Sequence, residues 1–282
     1  MNSFKQSVKK RPLVFFVIVN YAISWSLLYP CYQIILNAEE GFPLLALIGI
    51  PGGFGPSIAA ILTVWITKDK GSVSILLKQF KSFKIHVKWY FFVITIPSSI
   101  YFLALQSATF FGYELGVIDY SEGISMAFIY LLLALPFGPL MEELGWRGYM
   151  LPELLKKNSI YKSSLILGAV WTFWHVASFT FPGAAIPSIF DVNALSITLY
   201  LLSITAQTFL FSYVYLKTNH SLILAILLHT SFNASSNIVL TFFPDAAENP
   251  ELRLFVYTVN FILIFSFALL LLYKNHSPIP NS

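Results

Sequence analysis

Residues 254–273 read LFVYTVNFILIFSFALLLLY, twenty positions without a single Asp, Glu, Lys or Arg. A helix of about 20 residues, rising roughly 1.5 Å at each, crosses the hydrocarbon core of a bilayer. Backbone groups at that depth must bond within their own segment, and barrel strands are only about ten residues long, so the stretch is a helix. Seven further charge-free stretches precede it, at 12–38, 41–67, 89–113, 123–141, 163–190, 192–216 and 218–244. The expected fold class is all-α: a polytopic integral membrane protein of eight transmembrane helices.

Composition agrees. Of 282 residues, 57% are hydrophobic and 11% charged, whereas soluble domains carry about a quarter charged. So few charges cannot coat a water-soluble body, which excludes a soluble enzyme, and disordered or fibrous chains fail on the same count. The basic pI is not a sign of nucleic-acid binding, because the basic residues sit between apolar spans, where topology explains them. Cys31 is the sole cysteine, which excludes an internal disulfide and a Cys-rich zinc site and reads as a packed thiol. No repeat or soluble domain is legible, so 1–282 reads as one domain. The first span is too long for a signal-peptide core and is expected to be retained.

Charge sorting sets the orientation. Lys5, Lys9, Lys10 and Arg11 precede the first span. Lys68, Lys70, Lys78, Lys81, Lys84 and Lys88 follow the second, and Arg147, Lys156, Lys157 and Lys162 the fourth. Lys217 and Lys274 complete 16 of 17 basic residues on one side, Arg253 being the exception. Glu39, Glu40, Glu114, Asp119, Glu122, Asp191, Asp245, Glu248 and Glu251 collect opposite. Both termini are then cytoplasmic.

Ionisable groups at membrane depth are costly and mark function. His86, His220 and His276 fall at connectors or the tail and read as solvated. His175 and His229 lie well inside spans. Glu142, Glu143 and Arg147 stand where the fourth charge-free stretch ends. Glu143 and Arg147 are four apart, share a helix face and can pair. Glu142 is turned about 100° away, free to point into the bundle. His229 and Asn233 also share a face. One carboxylate, two imidazoles and a carboxamide suit a general base acting on water. Each has a plainer reading: histidines and Asn233 as helix–helix glue, the Glu–Arg cluster as an interfacial ion pair, Trp171, Phe173 and Trp174 as packing.

The residues resemble the CPBP family, CAAX-processing intramembrane proteases that include the Ras-converting endopeptidases and bacterial bacteriocin-immunity proteins. Glu142, Glu143 and Arg147 match its Glu-Glu-x-x-x-Arg motif. His175 matches Phe-x-x-x-His, with Trp171 standing where Phe is usual, and His229 with Asn233 matches His-x-x-x-Asn. The motif-bearing core covers about 124–244. The resemblance implies that Glu142 and His175 activate the attacking water and that His229 and Asn233 donate to the oxyanion. Glu143 and Arg147 would shape the site and hold substrate. It further implies an endopeptidase acting near the C-terminus of membrane-anchored, CAAX-like substrates, prenylated ones included. No cofactor is expected, because Asn233 is a natural oxyanion donor and a poor zinc ligand. Zinc on Glu142, His175 and His229 is the alternative.

Other intramembrane protease chemistries lack their residues. There is no His-Glu-x-x-His, no Asp inside a span and no Gly-x-Ser-x-Gly, and Ser57 has no evident base. A transporter using the same polar cluster, or a non-catalytic immunity or scaffold protein, remains as an alternative function. The expected partners are membrane lipid and a membrane-anchored peptide. The expected membrane is the plasma membrane in a prokaryote and the endoplasmic reticulum in a eukaryote. The run Pro51-Gly52-Gly53-Phe54-Gly55-Pro56 is expected either to kink the second span or to pack tightly through small residues. A polar cavity between spans four, five and seven requires the fourth to stay helical past Arg147, since Glu142 otherwise lies shallower than the histidines.

Overall fold

The computed structural model describes residues 2–39, 43–68, 71–180 and 192–274, and these are helical, with no strand among them. Five helices are long and apolar enough to span: Pro12–Leu36, Val87–Phe111, Ala194–Lys217, Leu222–Thr241 and Pro250–Lys274. Two bent pairs, Leu44–Gly53 with Gly55–Thr67 and Tyr120–Ala134 with Pro139–Leu155, bring the number to seven. These correspond to seven of the eight expected spans. Of the expected span 163–190, the described part is the helix Ile160–Trp174 and a 3-10 stretch, His175–Thr180. Fifteen helical residues are too few to span alone, and 181–190 lies outside the described residues, as do Glu40, Lys70, Asp191 and His276. The protein is a multi-pass membrane protein.

Local signals start the helices where the charge pattern changes. Asn193 accepts from the amides of Leu195 and Ser196 at 3.0 Å each. Ser221 and Ser159 cap the helices that begin at Leu222 and Ile160 in the same way. Each such cap satisfies an amide that the first turn leaves without a partner.

Burial ranks the helices. In the Leu222–Thr241 helix 61% of the apolar window is buried, against 17% in Pro250–Lys274, so the first is central and the second peripheral. The central helix packs on Val87–Ser107, Tyr120–Ala134 and Pro139–Gly145. Peripheral apolar side chains such as Ile18, Leu133 and Leu270 stay exposed, which suits contact with lipid.

Both readings of the Gly-Pro run hold. The chain bends by 48° between the helices that end at Gly53 and begin at Gly55. A Cβ on Gly55 would collide with Ser24, and one on Gly145 with the backbone of Pro56. The Gly55–Thr67 helix therefore lies hard against the segment carrying Glu142 and Glu143. Ser57 donates to the carbonyl of Met141 there, which gives it a structural partner.

The fourth span supplies a correction. Arg147 belongs to no cytoplasmic connector: it is fully buried. After a 46° bend, the chain runs through Pro139–Gly145, a π-helical turn at Trp146–Met150 and Leu151–Leu155. It stays helical past Arg147, as a shared cavity requires. The break comes earlier, before Glu142, because Gly138 at φ +101° ends the upstream geometry and Pro139 starts the next helix. The run of residues without charge ends before Glu142, yet the helical segment goes on to Leu155 with Glu142, Glu143 and Arg147 buried in it.

Candidate active site

The π-helical turn sets the first part of the site. A single π turn inside an α-helix re-aims its side chains and leaves a carbonyl off register. Gln79, from the basic connector, donates to Gly148 O at 3.0 Å, and Tyr215 donates to Gln79 Oε1 at 2.8 Å. That connector thus supports the site helix from the side.

Glu143 and Arg147 pair at 2.8 Å, both fully buried. Glu143 Oε1 also takes His229 Nδ1 at 2.8 Å. A carboxylate only accepts, so Nδ1 carries hydrogen and His229 presents Nε2 to the site. The Arg147 guanidinium lies 4.4 Å from the Trp171 ring and 4.0 Å from the Phe211 ring. Two aromatic faces compensate its buried charge where Nε and Nη2 have no hydrogen-bond acceptor among the described residues.

Glu142 is held differently. Its Oε2 accepts from Trp146 Nε1 at 3.0 Å and Trp171 Nε1 at 2.8 Å. Trp171, expected to be packing, is a hydrogen-bond donor to Glu142. Oε1 lies on the side of Gly138. A Cβ on that glycine would stand 3.1 Å from Glu142 Oε1, 3.4 Å from Asn233 Nδ2 and 3.9 Å from His229 Nε2. The absent side chain of Gly138 thus points toward three polar groups, and a methyl group there would crowd Glu142 Oε1.

His175 begins where its helix ends. Nδ1 lies 2.9 Å from Trp171 O, which can only accept, so Nε2 carries the lone pair. Its ring lies 5.9 Å from Trp171 and 4.8 Å from Trp174. The Pro12–Leu36 helix fixes this end of the chain: Tyr21 donates to Val170 O at 2.6 Å, and Trp25 to Trp174 O at 2.9 Å.

All six expected site residues lie in the described part. Glu142, Glu143, Arg147 and His229 form one buried cluster, with Asn233 at its open edge and His175 joined through Trp171. Gly138, Gln79 and Phe211 went unremarked in the sequence, because the positive φ and the contacts that set Gly138 apart exist only in the folded chain. Three donor atoms remain uncommitted, Glu142 Oε1 and the two Nε2 atoms, though among the described residues no three His, Cys, Asp or Glu are gathered as a metal-holding set.

Residues 124–235, which hold every one of these groups except Gln79, match the family model described as Type II CAAX prenyl endopeptidase Rce1-like. Over that stretch the chain is similar to the Rce1-like endopeptidases. CAAX prenyl protease 2 of Methanococcus maripaludis is 26% identical over 241 residues, covering 83% of this chain and 86% of that protein. The Rce1-like match begins at Ile124, upstream of the bend at Gly138, and ends at Ser235, just past Asn233.

Proposed function

We propose that the protein hydrolyses a peptide bond near the C-terminus of a membrane-anchored substrate bearing a CAAX-like, prenylated tail. The relatives' names supply the substrate class. The observation that carries the chemistry is the convergence of Glu142 Oε1, Asn233 Nδ2 and His229 Nε2 on the side of Gly138 where a side chain would stand.

In this reading a water is held among Glu142 Oε1, His175 Nε2 and the scissile carbonyl. Glu142 Oε1 takes one of its protons, and the lone pair on His175 Nε2 orients the other. The water oxygen bonds to the scissile carbonyl carbon while the carbonyl electrons move onto oxygen. Asn233 Nδ2 donates to that oxyanion, and His229 Nε2 joins when its ring is doubly protonated, with Glu143 behind it. The C–N bond then breaks, and Glu142 returns its proton to the leaving nitrogen. The mechanism uses no metal ion. Zinc on Glu142, His175 and His229 is the competing account, and elemental analysis of active, purified protein decides between them. Both termini are cytoplasmic, which opens the site toward lipidated substrates on that leaflet.

The test is cleavage of a farnesylated reporter peptide by purified protein and its Glu142→Gln variant. Cleavage lost in a folded variant supports the reading. A wild-type protein that leaves the reporter intact refutes it and favours a transport or scaffold role.

A further inference from the structure

We infer that Trp171 is a positioning residue: with Trp146 it immobilises Glu142 through Oε2, so that Oε1 is the oxygen that takes the proton. The inference rests on the endopeptidase reading and deepens it.

A carboxylate has two equivalent oxygens, and the terminal torsion of Glu is broad. Left alone, Glu142 would present either oxygen at a range of angles. Here two indoles converge on one of them, at 3.0 Å from Trp146 and 2.8 Å from Trp171. Trp146 lies one turn further along the same helical segment, whereas Trp171 comes from the Ile160–Trp174 helix. Two anchors from different segments fix the plane of the carboxylate, which one anchor cannot do. An indole N–H donates and never accepts. The Oε2 lone pairs are thereby engaged, and a proton arriving at Glu142 belongs on Oε1, the atom on the Gly138 side, toward Asn233 and His229.

Trp171 reaches the other site groups as well. Its ring centroid lies 5.1 Å from that of His229, its carbonyl takes His175 Nδ1 at 2.9 Å, and its face carries Arg147. The ring is fully buried. Phenylalanine, the usual residue at this position in the motif that the sequence resembles, keeps the aromatic face but has no N–H to offer. The tryptophan here adds, beside a larger ring, one charge-assisted hydrogen bond to the base.

The test combines kinetics with a spectroscopic signature. Trp171→Phe should lower kcat about ten- to a hundredfold, the loss of one hydrogen bond to a charged group, with KM within about twofold. Trp146→Phe should act similarly. The double variant should lose more than the product of the two, because each indole alone still holds Oε2. In the 15N spectrum of the intact protein the Trp171 indole resonance should move when Glu142→Gln is introduced. That measurement decides the contact even where Trp171→Phe folds poorly. If wild-type protein cleaves the reporter and Trp171→Phe matches it in kcat, or the indole resonance ignores Glu142→Gln, the inference is overturned and the endopeptidase reading stands. If wild-type protein does not cleave, both are overturned.

Discussion

His229 Nδ1 lies 2.8 Å from Glu143 Oε1, the same oxygen that takes Arg147 Nη1 at 2.8 Å. One buried carboxylate thus neutralises a guanidinium and fixes the ring of a histidine on another helix. Glu142 and Glu143 outweigh Arg147 by one charge. A second proton on His229 would balance them and turn Nε2 into a donor. The site's electrostatics pass through Glu143, although Glu142 is the carboxylate beside Gly138 and Asn233.

Breaking that link should unfold as well as inactivate. Arg147→Ala leaves Glu143 buried with a single partner, and losing one member of a buried pair costs about 3–5 kcal/mol. Melting temperature in detergent and turnover should fall together. Arg147→Lys should recover part of the stability only, because a compact ammonium does not lie flat between Trp171 and Phe211.

Glu142→Gln should do the reverse. The amide oxygen can still accept from both indoles, so the melting temperature should stay near that of the wild type. Proton acceptance is gone, and turnover should drop by about 10²–10⁴. Full activity in a stable Glu142→Gln protein sinks the assignment of the base.

Asn233→Ala should lower kcat by about 10²–10³ and leave KM nearly unchanged, since the oxyanion exists only along the reaction path. A rise in KM at constant kcat would instead place Asn233 in ground-state binding.

At Gly138 a methyl group would enter the space between Glu142 Oε1 and Asn233 Nδ2, at a φ that L-residues rarely adopt. Gly138→Ala should abolish turnover while costing about 1–3 kcal/mol of stability, the scale of backbone strain. Measuring both on the same preparation separates occlusion of the site from misfolding: a loss of activity only in proportion to unfolding removes Gly138 from the site.

Orientation is checked by labelling. In a Cys31→Ala background, single cysteines replacing Lys81 and Glu114 should react with an impermeant reagent from opposite faces of sealed vesicles. Reaction from the same face overturns the cytoplasmic placement of the termini.

Much of this molecule follows from which residues carry charge. The apolar run at 254–273 and its counterparts are helices because a bilayer offers no other partner for the backbone, and that holds whatever they pack against. The pairing of Glu143 with Arg147 is equally local, since four residues of helix bring the two together. How far the fourth helical segment runs was not legible, because the run of residues without charge stops before Glu142 while the segment continues to Leu155 with Arg147 buried inside it. A charge count cannot distinguish an arginine in water from one lying between two aromatic rings. Nor can spacing along the chain show that Trp171 bonds Glu142, 29 positions away, or that Glu142, His229 and Asn233 meet beside Gly138. Those relationships depend on how three helical segments cross, and crossing is set by side-chain packing between them, which exists only in the folded molecule.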